Sequence, residues 1–185
     1  MPFQTAASAI ALPGCPEACG GVQIPYPFGI GPNCSLPGFE LSCNTSNNGS
    51  LTPFLFNDIP VLNIDLEWGH VRVNKSITSS CYNQETTSGM ISNSTTGGWN
   101  LSGTPYHIHY EEKFTVVGCD IIANINFDEI NLLQSGCSTK PCDIPDNIIN
   151  GVCSGKGCCQ IDIPTRMNYY QVSLHHGNSS KLRIT

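Results

Sequence analysis

The clearest periodic pattern along the chain runs from residue 62 to residue 73. Apolar residues alternate with polar ones here, with Leu62, Ile64, Leu66 and Trp68 separated by Asn63, Asp65 and Glu67. This repeat of two is typical of a half-buried strand, because successive side chains point to opposite faces. The alternation stops at Gly69-His70 and resumes at Val71-Arg72-Val73, which predicts a β-hairpin that turns near Gly69.

Other patterns predict further strands and loops. Tyr106, Ile108 and Tyr110 alternate with two histidines, which predicts an amphipathic strand. In residues 114–122 apolar residues dominate at both odd and even positions, which predicts one fully buried strand. Residues 169–174 (YYQVSL) predict a last strand. Two prolines predict an edge strand or ordered loop over residues 24–30. The polar residues 44–50 and 83–104 predict an exposed turn and a long connection.

The composition favours sheet over helix. Gly, Pro, Asn, Ser and Thr are abundant, and these residues form turns and compete against helix. The apolar share of 39% is too high for a disordered chain. We therefore predict a mostly β fold, a disulfide-rich β-sheet domain with long loops and a cysteine-dense C-terminal part. We do not expect a clean division into two domains.

The charge balance excludes one class of partner. Eight Lys and Arg residues stand against 14 Asp and Glu residues, so the formal net charge is −6. A nucleic-acid-binding protein neutralises phosphates with clustered basic residues, whereas the eight here are scattered along the chain. We therefore expect no nucleic-acid partner.

The cysteines predict disulfides. There are eleven, at Cys15, Cys19, Cys34, Cys43, Cys81, Cys119, Cys137, Cys142, Cys153, Cys158 and Cys159. No pair has the short spacing of a zinc knuckle, and so many cysteines indicate an oxidising compartment. An odd number predicts five disulfides and one unpaired thiol. We expect the local pairs Cys19–Cys34 and Cys43–Cys81. The adjacent Cys158 and Cys159 are expected to reach separate partners in a knot of loops over residues 136–159.

Asn-x-Ser/Thr sequons indicate the same compartment. They occur at seven positions, Asn33, Asn44, Asn48, Asn74, Asn93, Asn100 and Asn178, which together with the cysteines predict an extracellular glycoprotein. Residues 1–14 lack a basic region and a full apolar core, so we interpret them as a signal-peptide remnant or a leader. No apolar run approaches the ~20 residues of a membrane-spanning helix, so we expect membrane association only through a helix that this chain lacks.

The sequence contains no catalytic constellation. His107, His109 and Glu111 share one side of a predicted strand, and His-x-His is a workable metal spacing. The solvent-facing side of an amphipathic strand explains the same pattern, and we favour that interpretation and expect no metal site. Carboxylate pairs such as Asp65 and Glu67 are sequence neighbours, whereas glycosidases need two carboxyls across a cleft. We therefore predict a binding module and not an enzyme.

Several stretches resemble a known family in order. They are residues 15–30 (CPEACGGVQIPYPFGI), 38–43 (GFELSC), 61–64 (VLNI), 81–83 (CYN), 99–106 (WNLSGTPY), 113–120 (KFTVVGCD) and 153–164 (CSGKGCCQIDIP). The combination is similar to the galacturonan-binding ectodomain of plant wall-associated receptor kinases and spans residues 15–175. Residues 176–185 are then the start of a truncated following segment. Because the family's next cysteine lies beyond Thr185, the resemblance also explains the predicted odd thiol.

The resemblance implies a function. It implies an apoplastic module at the cell-wall face of the plasma membrane that binds pectin or oligogalacturonides non-covalently and senses wall state or damage. The intracellular Ser/Thr kinase of such receptors is absent from this chain. The alternative is a protein-interaction module of an immune receptor that recognises a secreted peptide, a microbial effector or a co-receptor.

The ligand sites are predicted from charge alone. A galacturonate polymer is negative, as is the chain, so binding requires a local basic patch or Ca²⁺ shared with pectate. We expect no cofactor of the protein's own. The candidate contacts are Arg72, Lys75, Lys113, Lys156 and Arg166, to which Lys181 and Arg183 could add.

Overall fold

The computed structural model of the chain describes residues 10–46, 48–82, 91–94, 97–128, 133–140 and 153–176, without the side chains of residues 80–82, 91–94 and 176. Across these residues the chain forms strands, turns and loops and no helix, so the predicted mostly β fold is confirmed. No helix in the described ranges is long and apolar enough to cross a membrane. The chain divides into two compact units, Met1–Ser76 and Ile77–Thr185, a division that differs from the expectation of one unit.

Unit 1 is built around a five-stranded sheet. Its strands are β1 (Ala18–Cys19), β2 (Val22–Gln23), β3 (Gly29–Ile30), β4 (Glu40–Thr45), β5 (Leu51–Leu55), β6 (Ile59–Asp65) and β7 (His70–Val73). The sheet has the order β3-β4-β5-β6-β7, and β1 and β2 form a separate ladder. All of these pairs are antiparallel except β3 with β4. Of the predicted exposed turn over residues 44–50, Asn44 and Thr45 belong to β4, and residues 46 and 48–50 lie between β4 and β5.

One face of this sheet carries the core of unit 1. Leu41 on β4 lies opposite Leu55 on β5, Leu55 lies opposite Ile59 on β6, and all three are buried together with Val61. Because strand side chains alternate, the opposite face carries Glu40, Ser42 and Asn44 toward solvent. Ile24, between β2 and β3, is fully buried and completes this core.

The predicted hairpin is confirmed, but its buried side was wrongly assigned. Strands β6 and β7 pair and turn through residues 66–69, where Gly69 has φ +65°. Val61 is 1% exposed, whereas Leu62 is 51% and Trp68 70% exposed. A register shift between Val61 and Asn63 is the reason, because an extra residue in one strand changes which side chains face inward. Leu66 and Trp68 belong to the turn and not to the strand.

Two disulfides tie the start of unit 1 to its sheet. They join Cys15 to Cys34 and Cys19 to Cys43. The expected pairs Cys19–Cys34 and Cys43–Cys81 are therefore wrong. Strand β1 lies against β5, the neighbour of β4 in the sheet, and this packing brings the buried Cys19 to Cys43. Proximity in the sheet decides the pairing, and proximity in the sequence does not.

In the described residues of unit 2 there are eight short strands. They are β8 (Ser80–Tyr82), β9 (Ile91–Ser94), β10 (Gly97–Asn100), β11 (Lys113–Val117), β12 (Ile121–Asn126), β13 (Gln134–Ser138), β14 (Cys158–Asp162) and β15 (Tyr169–His176). A four-stranded sheet has the order β10-β15-β12-β13, and β8–β9 and β11–β14 form two-stranded sheets. The predicted last strand is confirmed as β15, and it pairs on both sides. Strands β9 and β10 lie where a long connection was expected.

Two strand predictions in unit 2 are wrong. Residues 114–122 are not one strand, because a turn at Gly118 and Asp120 (φ +138° and +54°) separates β11 from β12. Residues 106–110 join no strand ladder; the Ile108 N–H instead donates to the Met167 carbonyl at 2.7 Å. An alternating pattern reports only which side chains meet solvent, and an extended loop produces the same alternation.

Disulfides and apolar side chains hold unit 2 together. Ala123 and Ile125 on β12 are buried, as is Phe127 directly after it, and Val116, Val172 and Cys159 pack among them. Cys159 bridges to Cys137 and Cys158 to Cys153, so the adjacent cysteines do reach separate partners. The Cys137–Cys159 bridge links β13 to β14, strands of two different sheets. The two ends of the predicted knot of loops over residues 136–159 therefore belong to strands β13 and β14.

The odd thiol stays a prediction. Cys119 is also disulfide-bonded, which brings the bonded cysteines in the described ranges to nine. The side chains of Cys81 and Cys142 lie outside the described residues.

Candidate ligand-binding face

The five basic candidates are divided between the two units. Arg72 and Lys75 belong to unit 1, and Lys113, Lys156 and Arg166 to unit 2. Within unit 2 the three occupy different elements: strand β11, the loop closed by the Cys153–Cys158 bridge, and the turn between β14 and β15. Lys181 and Arg183 lie outside the described residues.

The charge of Lys113 is neutralised by an ion pair with Asp162. Lys113 pairs across β11 and β14 with Asp162, and its Nζ lies 2.8 Å from Asp162 Oδ1. Both side chains are largely exposed, so this ion pair contributes at most about 1 kcal/mol to stability. An incoming polyanion would nevertheless compete with Asp162 for this cation, which makes Lys113 a weak candidate contact.

The solvent side of the β6–β7 hairpin gathers polar side chains of unit 1. Asn63 lies opposite Arg72, and Asp65 lies opposite His70. Residues two apart on a strand point the same way, and opposite residues have Cβ atoms ~5 Å apart. These four side chains therefore share one face, which we call the hairpin face.

Arg72 is the cation on the hairpin face. It is exposed, and no described residue hydrogen-bonds or pairs with its guanidinium. A guanidinium presents a planar fork of donors that matches a carboxylate with two parallel hydrogen bonds. Lys75 follows close by, since the Asn74 N–H donates to the Pro60 carbonyl at 2.8 Å and holds the chain beside β6. Arg72 and Lys75 therefore lie in the same unit, and their role as ligand contacts stays a prediction.

The turn of the hairpin presents an aromatic ring. The backbone N–H of Trp68 donates to Asp65 Oδ1 at 3.2 Å, which fixes the turn. The indole itself is largely exposed, as are Leu62 and Leu66. The sequence missed this feature because the alternation assigned the same three residues to the core.

The other candidate features for metal binding and titration belong to unit 2. Among the described residues, no group of three or more His, Cys, Asp or Glu side chains is close enough to hold a metal ion. The His109 and Tyr110 rings lie 4.4 Å apart, and the Glu111 N–H donates to His109 Nδ1 at 3.4 Å. In unit 2, burial raises the pKa of the Tyr170 hydroxyl.

The sequon asparagines of the described residues lie at the surface. Asn33, Asn44, Asn48, Asn74 and Asn100 are all exposed, as a glycan acceptor must be. Asn178 and the side chain of Asn93 lie outside the described residues. Exposure is compatible with glycosylation, which stays a prediction.

The comparisons with known proteins agree with the resemblance. Residues 15–75 match the family model described as "Wall-associated receptor kinase galacturonan-binding", and this range falls within unit 1. Among similar Arabidopsis thaliana proteins, wall-associated receptor kinase 2 is 33% identical over 87% of this chain and 21% of its own length. Wall-associated receptor kinase-like 6 is 35% identical over 81% of this chain and 25% of its own length. The chain thus spans about a fifth to a quarter of these relatives. No solved structure gives a significant match.

Proposed function

We propose that this chain is an extracellular receptor module that binds pectin or oligogalacturonides. The premise is that residues 15–75 belong to the wall-associated receptor kinase galacturonan-binding family. The observation that carries the ligand assignment is the exposed Arg72 guanidinium on the hairpin face, within the residues that the family model matches. We assign non-covalent binding to the chain and no catalytic step. It acts at the cell-wall face of the plasma membrane.

The chemistry of the ligand fits this face. Each galacturonate residue carries one carboxylate, which the Arg72 fork can bind, and hydroxyls, which the Asn63 amide can bind. Lys75 supplies a second cation. The net charge of −6 opposes the approach of a polyanion at long range, so the affinity has to come from these local contacts.

Calcium has a supporting role in this proposal. Ca²⁺ binds several oxygen ligands with irregular geometry and can join a pectate carboxylate to a protein carboxylate such as Asp65. Since the described residues gather no cation cage of their own, the ion would be shared with pectate. We therefore expect calcium to strengthen binding to pectate without binding tightly to the protein alone.

Charge reversal tests the proposal. Arg72→Glu with Lys75→Glu should weaken oligogalacturonide binding about tenfold or more in calorimetry. Two exposed charge contacts of ~0.5–1 kcal/mol each are lost, and the two new carboxylates repel the carboxylates of the ligand. The matched control is Lys113→Glu with Arg166→Glu, which changes the net charge equally but in unit 2. Binding should also fall at 1 M salt, where screening acts over ~3 Å. Equal loss in both double variants would contradict a site at the hairpin face.

A second function is favoured by the exposed apolar side chains of the same hairpin. Leu62, Leu66 and Trp68 are large, exposed and close in sequence, and aromatic anchors of this kind are enriched where proteins dock. The alternative is therefore a protein-interaction module for a secreted peptide, an effector or a co-receptor. Failure to bind pectate with or without calcium, or binding to neutral glycans that ignores salt, would decide for this alternative.

A further inference from the structure

A groove on unit 1 lies between strand β4 and the turn that joins β5 to β6. It has a volume of about 280 Å³ and is lined by Gly38, Glu40, Leu41, Ser42, Phe56 and Asn57. Sites for drug-sized ligands occupy about 300–1,000 Å³, so this groove suits a smaller occupant, of the size of a sugar ring. None of its lining residues belongs to the hairpin face.

One wall of the groove is an aromatic residue in a constrained turn. Phe56 and Asn57 have φ values of 53° and 69°, and the Asp58 N–H closes the turn on the Leu55 carbonyl at 3.4 Å. A bulky residue in the left-handed region is a genuine outlier, and such outliers concentrate at functional sites. The Phe56 side chain is 41% exposed.

The part of the lining that belongs to β4 leads to a sequon. Glu40, Ser42 and Asn44 alternate along β4 and therefore share one face. Glu40 Oε2 accepts the Gly38 N–H at 2.8 Å, which fixes the carboxylate beside the groove. Two residues after Ser42 along β4, Asn44 Nδ2 donates to Ser42 Oγ at 3.3 Å. This nitrogen, the atom to which an N-linked sugar attaches, thus lies in contact with a residue that lines the groove.

We propose that the N-linked glycan of Asn44 folds back across Ser42, so that its first sugar occupies this groove against Phe56. In the attachment step, Asn44 Nδ2 bonds to C1 of a sugar from a lipid-linked diphosphate oligosaccharide. The C1–O bond to the diphosphate breaks, and the amide loses one proton. One N–H remains, so the hydrogen bond to Ser42 can persist.

The chemistry of the groove selects an uncharged sugar. The face of an aromatic ring is negative and attracts the positively polarised C–H bonds of a pyranose, while the Asn57 amide and the Ser42 hydroxyl can bind its polar groups. Glu40 would repel a galacturonate carboxylate at the same position. The groove is therefore assigned to the chain's own neutral glycan and not to pectate.

The experiment measures the NMR signals of the sugar attached to Asn44. The secreted chain is trimmed enzymatically to one sugar per site, and occupancy of Asn44 is measured by peptide mass spectrometry. NMR of the sugar protons should show an upfield ring-current shift for the Asn44-linked residue. Phe56→Asn should abolish the shift, since asparagine tolerates the left-handed backbone and lacks the ring. Asn44→Gln identifies the resonance, and Asn74→Gln, which removes another exposed sequon of unit 1, should leave it unchanged.

Stability gives an independent readout. Asn44→Gln should lower the melting temperature of the glycosylated chain by about 2–4 °C, the effect of one ordinary aromatic contact in a chain of this size. In the Phe56→Asn background the same change should have little effect, since the contact is already gone. An unoccupied Asn44, or sugar resonances at their free positions whether or not Phe56 is present, would overturn the proposal.

Discussion

Replacing Val61 by alanine should destabilise the protein far more than replacing its neighbour Leu62. Val61 is 1% exposed and lies in the core of unit 1. The substitution removes two methyl groups, which at ~0.8 kcal/mol per buried carbon amounts to roughly 1.6 kcal/mol. The cavity left behind adds to this value, so we expect a loss of about 2–3 kcal/mol in the free energy of unfolding.

Leu62→Ala is the matched control, because it removes more carbon from a side chain that is already 51% exposed. We expect it to cost less than about 1 kcal/mol, since roughly half of that side chain already contacts water. The assay is urea unfolding of the oxidised chain followed by far-UV circular dichroism, with an unchanged slope required for a valid comparison. A larger loss for Leu62→Ala than for Val61→Ala would refute the register shift after Val61.

Two further predictions concern the disulfides and the response to alkaline pH. Non-reducing peptide mapping should recover Cys15–Cys34 and Cys19–Cys43, and alkylation in the same experiment counts the predicted unpaired thiol; a Cys19–Cys34 peptide would contradict the packing of β1. Burial raises the pKa of Tyr170 above its ordinary value of 10.0, so as pH rises the hydroxyl loses its proton in the unfolded chain before it does so in the folded chain. The contribution of the protonated Tyr170 hydroxyl to the free energy of unfolding is therefore complete below pH 10 and is lost as pH rises through the folded pKa. Alkaline unfolding should therefore begin at higher pH in Tyr170→Phe, and an identical profile would argue against burial of this hydroxyl.

The predictions that succeeded depend on local chemistry. Polar residues 46 and 48–50 lie between β4 and β5, within the predicted turn, and Gly69 closes the β6–β7 hairpin at a positive φ. Such turns are specified by a few adjacent residues, because backbone conformation near glycine and asparagine is a local property. The separate partners of Cys158 and Cys159 followed from local geometry in the same way.

The predictions that failed depend on pairing between distant strands. The turn at Gly118–Asp120 divides an apolar run between two sheets, and residues 106–110 alternate without joining a ladder. A periodic sequence reports exposure and does not report which neighbour supplies the hydrogen bonds. Likewise, the partners of Cys19 and Cys43 were decided by the packing of β1 against β5.

The features of the candidate site are likewise of two kinds, those that the sequence indicated and those that only the structure decided. The sequence by itself indicated the disulfides, through its cysteines, and the galacturonan-binding family, through the ordered stretches that residues 15–75 share with it. It also indicated Arg72 and Lys75 as neighbouring cations. Only the tertiary structure decided that Lys113 is paired with Asp162, that Trp68 lies outside the core, and that Phe56 and Ser42 line one groove. The physical reason is that residue types fix what chemistry is available, whereas strand register and chain packing fix which of those groups meet.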